Sequence, residues 1–249
     1  MPENIYPEIY GDPDIYQGIY GDDAPTGLAL GLVRHYKLEE ITGTNAVDDG
    51  SDGSDGTYQR DASNTTGDSV IESLGKSYNT NGSTDYITLP TISFANEFTI
   101  CFFGKRFTTS VFHPAIGNLG ANNYGGLNSN STQWAMRLVP SGSQVLVNHG
   151  VDTLEWHSFI FGRDENDDAF LYVDGESVAV SLNTAGASVW DCIASYSTPS
   201  GWYRGWLDDV RFYNRVLTAS EVRQYHALGF GGDTWLNRRF QQLNIPSVS

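Results

Sequence analysis

The sequence predicts an all-β protein: an antiparallel sandwich of two sheets, with one short C-terminal helix and an extended arm at each end. Three observations point there. The 249 residues include 14 Tyr, 12 Phe, 6 Trp and 27 Gly, while Lys and Leu are sparse, a composition that favours strands and turns over helices. Short runs of strand-forming residues are separated by Gly, Asn, Ser and Pro, the punctuation of strands joined by tight turns. Near the end, one such run leads into a single capped helix.

In order along the chain, residues 4–23 carry a ten-residue repeat with four Ile-Tyr pairs, Ile5-Tyr6, Ile9-Tyr10, Ile15-Tyr16 and Ile19-Tyr20, separated by Pro, Gly and acids. Pro and Gly rule out a long helix there, and the segment is too short and polar to form a core. Residues 1–27 therefore read as an arm that lays its Ile and Tyr side chains on a partner or a neighbouring copy. Packing on its own domain is the alternative. Residues 28–228 hold the strands. Those at 133–139, 144–148, 156–162, 169–173 and 177–182 read as one antiparallel meander, and Asp174-Gly175 suits a type I′ hairpin turn. The last strand covers 205–213. Asn214-Arg215 breaks it, and Thr218 with Glu221 three residues on forms a capping box that opens a helix over 218–228. Residues 229–233 read as a flexible break. The tail 229–249 carries Trp235, Leu236, Phe240, Leu243 and Ile245, which imply docking.

Taken in register, these motifs resemble the laminin-G-like branch of the concanavalin A-like lectin/glucanase jelly rolls. Residues 31–40 resemble the opening strand and 46–57 the Asp/Gly loop. Residues 85–90 and 98–100 resemble the next strands, Trp156-His157-Ser158 a strand with Trp before a small polar residue, 171–175 a hairpin, and 205–222 the closing strand and helix. The resemblance spans 28–228 and implies an antiparallel jelly-roll sandwich. It also implies a structural calcium between the Asp/Gly loop and an acid of the last strand. Asp48 and Asp208 match those two positions, with Asp52 as a helper. Calcium wants about six to eight oxygen ligands, and Gly50, Gly53 and Gly56 permit the winding that turns carbonyls inward. A solvated acidic turn without an ion is the other reading.

Glycan binding is the family's common use. Sugars stack on aromatic faces while amides read their hydroxyls. The loop 118–130 has that chemistry in Asn122, Asn123 and Tyr124, with Trp134 nearby, and Trp202-Tyr203 is a second candidate. Turn and core roles are the alternative for the same residues. Catalysis finds little support. The glucanases' Glu-x-Asp-x-x-Glu run is missing, residues 164–168 read as a solvated acidic turn, and the five His show no metal-ligand spacing. Cys101 and Cys192 read as buried free thiols, a disulfide depending on a separation the sequence does not give.

The net charge of −16 argues against nucleic acid and favours solubility, cations or a basic partner. No run approaches the ~18 apolar residues of a membrane span, and residues 1–23 have neither the basic nor the apolar part of a secretory leader. The expectation is a non-enzymatic binding or assembly module of a larger structure. A bacteriophage virion subunit (decoration, fibre or tail adhesion) fits best, homo-oligomeric, held on the virion surface through residues 1–27 and able to bind a surface glycan. The alternative is a secreted or cell-surface lectin domain.

Overall fold

A computed structural model describes residues 27–60, 62, 66–68, 75–109, 111–120, 122–129, 132–140, 142–196 and 201–242. Sixteen strands follow a short turn at Gly27–Ala29: β1 (Leu32–Tyr36), β2 (Asn45–Ala46), β3 (Gly56–Tyr58), β4 (Thr66–Asp68), β5 (Lys76–Asn81), β6 (Ile87–Phe94), β7 (Phe98–Arg106), β8 (His113–Gly117), β9 (Tyr124–Leu127), β10 (Gln133–Arg137), β11 (Val145–Asn148), β12 (His157–Arg163), β13 (Ala169–Val173), β14 (Glu176–Val178), β15 (Ser188–Ile193) and β16 (Arg204–Tyr213). One helix, α1 (Ala219–Gln242), closes the described chain.

The strands form two eight-stranded antiparallel sheets. Sheet I runs β14-β13-β12-β7-β16-β5-β4, with β1 also paired to β16; sheet II runs β11-β10-β9-β8-β15-β6-β3-β2. The long β16 takes β5 as neighbour along its first half and β1 along its second, so the start and end of the domain meet in the middle of sheet I. The predicted sandwich is thus observed, but the single meander is not. β10 and β11 pair in sheet II, whereas β12, β13 and β14 pair in sheet I. The chain changes sheets after Asn148 because β12 finds its partner in the nonlocal β7.

Alternation along each strand sorts side chains between the core and the outer faces. Trp134 and Met136 of β10 point inward, and Trp134 stacks on Phe102 and Phe159 at 5.9 and 5.4 Å between ring centroids. On β7 the neighbouring ring, Phe103, points the other way. It joins Leu28, Trp156, Ile160, Tyr213, Leu217, Val222 and Tyr225 in a second apolar cluster on the outer face of sheet I, beneath α1.

The capping box is in place. The Thr218 N–H donates to Glu221 Oε2 at 2.8 Å and the Glu221 N–H to Thr218 Oγ1 at 3.3 Å. The helix then runs to Gln242, past the end expected at 228. Gly229 is no break: a Cβ there would lie 2.4 Å from the Phe103 ring, so glycine lets the helix sit close to the sheet. The Asp174-Gly175 hairpin turn has φ of 53° and 81°, as a type I′ turn requires. Cys101 and Cys192 are buried free thiols. The anchors of the N-terminal arm, Ile5 to Tyr20, lie outside the described residues, as do Leu243, Ile245 and the side chains of Trp235, Leu236 and Phe240.

Candidate ligand-binding face

The outer face of sheet II carries a cluster of rings. On β9, Gly125 faces the core, where a Cβ would lie 2.5 Å from Phe161, so its neighbour Tyr124 faces outward. Three rings meet there. Tyr124 lies 5.0 Å from Phe112 and 5.0 Å from Tyr196, and Phe112 lies 5.6 Å from Tyr196, all edge to face. Two glycines make room for Tyr196. A Cβ on Gly117 would fall 2.6 Å from Tyr196 Cβ, and one on Gly201 2.2 Å from its ring. The chain after β15 thereby folds back over β8. Tyr124 is buried, while Phe112 and Tyr196 stay half-buried.

Polar groups flank the rings. Arg137 stands opposite Tyr124 in the β10–β9 register, with its guanidinium carbon 5.5 Å from the Tyr124 centroid. Burial raises the Tyr124 hydroxyl pKa above its ordinary value, and the Arg137 charge pulls it partly back. Asp191, half-buried on β15, accepts the Leu119 N–H at 2.7 Å; its carboxyl pKa is raised by burial. Asn122 is exposed at the tip of the β8–β9 turn with φ of 60°.

Of the other expected sugar contacts, Trp202 lies beside the rings and the rest do not. Trp134 and Tyr203 are fully buried in the core, where no ligand from solvent reaches them. Asn123 is fully buried and donates through Nδ2 to Leu138 O at 2.7 Å, holding the turn. Trp202 is half-buried and paired to Ser195, beside Tyr196. Sequence reasoning missed Phe112, Tyr196, Arg137 and Asp191. Only the register of β8, β9, β10 and β15 brings them together, and register is nonlocal.

Of the three expected calcium ligands, Asp48 and Asp52 meet at the Arg34 guanidinium. Asp48 Oδ1 accepts the His35 and Gly50 N–H groups, each at 2.8 Å, and Oδ2 accepts the Ser54 N–H at 2.9 Å. Asp52 takes Arg34 Nη2 at 2.6 Å and Nε at 2.8 Å, and Arg34 Nε lies 3.8 Å from Asp48. Arg34 also donates to Pro90 O at 2.6 Å. Asp208 is fully buried on β16, where its charge raises the pKa of Tyr58 as a lesser contribution beside burial. Among the described residues no group of three or more His, Cys, Asp or Glu side chains is placed to hold a metal. Donors already occupy the Asp48 oxygens, so this set does not fit calcium as arranged. The loop glycine Gly50 has a packing reason instead, since a Cβ there would lie 2.5 Å from Val33 O.

Two other acidic clusters are structural. Residues 164–168 turn between β12 and β13, with Asp164 Oδ1 accepting the Asn166 and Asp168 N–H groups at 2.9 Å each. Under α1, Asp174 meets His157 Nδ1 at 2.7 Å, and Ser158 Oγ meets His226 Nδ1 at 2.9 Å. Asp174 approaches that same His226 nitrogen at 3.8 Å, whereas a nucleophile relay uses the two ring nitrogens for its two partners.

Residues 81–223 match the sequence model of the concanavalin A-like lectin/glucanases superfamily. The chain belongs to this superfamily. Among curated proteins no sequence matches. Several solved structures share the sandwich fold. Trypanosoma rangeli sialidase superposes with a TM-score of 0.57 at 16% identity, over 83% of this chain and 34% of its own. The binding domain of Paraclostridial Mosquitocidal Protein 1 gives 0.58 at 14%, over 82% and 53%. Domain 4 of AbnA, a GH43 extracellular arabinanase from Geobacillus stearothermophilus in complex with arabinotriose, gives 0.52 at 18%, over 80% and 98%. The chain thus spans about a third of the sialidase's length. At these identities the likeness is one of fold.

Proposed function

We propose that this chain is a non-enzymatic carbohydrate-binding module that takes its glycan on the outer face of sheet II. The observation that carries the reading is the cluster of Phe112 and Tyr196, half-buried over Tyr124, with Arg137 at its edge. Rings left half-exposed offer an apolar platform, and nearby charges supply the few oriented polar contacts a ligand site needs. Superfamily membership supports it, as does the arabinotriose held by the arabinanase domain of the same fold. The strands of sheet II carry a single carboxylate, Asp191, whereas glycoside hydrolysis ordinarily takes a pair. An array of neutral and acidic oligosaccharides probed with the intact protein tests the reading. Binding that Phe112→Ala and Tyr196→Ala abolish, with circular dichroism unchanged, is expected. Binding indifferent to both substitutions moves the site elsewhere.

The Ile-Tyr repeat of residues 4–23 favours a second element: attachment of the module to a larger assembly, with a virion surface first and an extracellular lectin second. Removing residues 1–26 is expected to leave a folded, sugar-binding domain of lower mass by light scattering. An unchanged mass removes the arm from assembly.

A further inference from the structure

We infer that the ligand of this face carries a carboxylate, which Arg137 receives, so that the module selects acidic over neutral sugars. The inference rests on the glycan reading of the face. Arg137 is half-buried and lies over Tyr124, yet its Nε is enclosed without an acceptor. Among the described residues no carboxylate pairs with it. Arg34, Arg211 and Arg215 meet Asp52, Asp209 and Glu221, and Arg106 and Arg163, whose Nε atoms are enclosed in the same way, donate through Nη to backbone carbonyls. Among the described residues Arg137 has neither a carboxylate nor a carbonyl of this kind on its guanidinium, in a chain with 30 acidic and 14 basic residues. Only the Nε of this guanidinium is enclosed, so its two Nη groups, held in place by the ring, can present a bidentate pair of donors to an acceptor from solvent. The Tyr124 ring supports the guanidinium from one side and limits its orientation. A sugar carboxylate matches the planar fork, whereas a neutral hydroxyl fills one donor at a time.

The overall charge of −16 repels such a ligand at long range, so acceptance has to come from this local contact. Uronic and sialic acids offer the same carboxylate, and two probe pairs separate them. Titration calorimetry of the intact protein would compare trigalacturonic acid with its methyl ester, and 3′-sialyllactose with lactose, near physiological salt. Charge-assisted hydrogen bonds predict that the acidic member of the recognised pair binds roughly tenfold or more tighter. Arg137→Gln should bring the acid down to the level of its neutral counterpart, so that the ratio of the two affinities falls to about one. Arg137→Lys, which keeps the charge without the fork, should retain part of the preference. Melting curves of both variants report folding. Equal wild-type affinity for acid and neutral sugar, or an Arg137→Gln loss shared by both, overturns the inference and leaves the glycan reading standing. No binding of either pair overturns both.

Discussion

The outer faces of the two sheets begin alike and end differently. Each carries rings that strand alternation turned away from the core. On sheet I, α1 covers them: Tyr225 stacks on Phe103 at 4.8 Å and its hydroxyl donates to Asp209 O at 2.7 Å. The charges beneath the helix are paired as well. Asp209, deeply buried, meets His35 Nε2 at 2.6 Å and Arg211 Nε at 3.1 Å. Burial opposes its charge, but the Arg211 guanidinium and the hydrogen bond with His35 hold its carboxyl below the ordinary range. On sheet II, Phe112 and Tyr196 reach solvent and Arg137 Nε has no acceptor. One face uses its aromatic residues for stability, the other holds them available. In this sandwich, recognition is expected where packing stops.

The comparison breaks most visibly at Phe103. Phe103→Ala empties a fully buried site and should cost about 3–5 kcal/mol. For a domain of this size that lowers Tm by roughly 10 °C, read by scanning calorimetry, with sugar binding kept. Asp48→Ala comes next. It strips an acceptor from three backbone N–H groups and a near neighbour from the Arg34 guanidinium, at a cost of about 2–3 kcal/mol. In the unsubstituted protein, Tm in EDTA and in millimolar calcium should coincide. A site filled at a hundredfold excess over Kd would add about 2.7 kcal/mol, which calorimetry would detect.

A milder test is pH. Burial first, and the Arg106 charge second, lower the His113 pKa to about 4, and burial does the same to His149. Between the unfolded value near 6.5 and about 4, the unfolded chain binds the proton and the folded chain does not. Stability therefore falls as pH drops through that window, by up to about 1.4 kcal/mol per pH unit for each histidine. Equilibrium urea unfolding from pH 7 to 4 measures the slope, and His113→Gln should flatten it. The smallest stability effect is expected on the open face. Tyr196→Ala should cost about 1 kcal/mol, less than Phe103→Ala because the ring that packs on Phe112 and Tyr124 is only half-buried, while weakening glycan binding tenfold or more. If it destabilises as much as Phe103→Ala, the two faces are not different in kind.

What the sequence made legible was local. The capping box at Thr218 and Glu221, the Asp174-Gly175 turn and the strand alternation each depend on neighbours in the chain. Pairing between distant strands was not legible. That is why Trp134, a few residues from an Asn-rich turn, looked like a sugar platform but stacks in the core, and why Phe112, Tyr196 and Arg137 were overlooked. Glycines misled for the same reason. Gly229 looked like a hinge and Gly50 like part of a metal loop, yet each permits a close approach between segments that only the fold brings together. The Asp/Gly loop shows a subtler limit. Carboxylates spaced for a cation look the same whether the cation is a metal or the side chain of Arg34.

The place of β16 bears on how this protein is made. β7 cannot gain its central neighbour until β16 has left the ribosome, about a hundred residues later, on the order of ten seconds at typical synthesis rates. Throughout that interval an unpaired, largely apolar strand edge is open to the wrong partner. Expression should therefore be sensitive to temperature and to chaperone supply, and chains that end before residue 204 should aggregate rather than persist as half-domains.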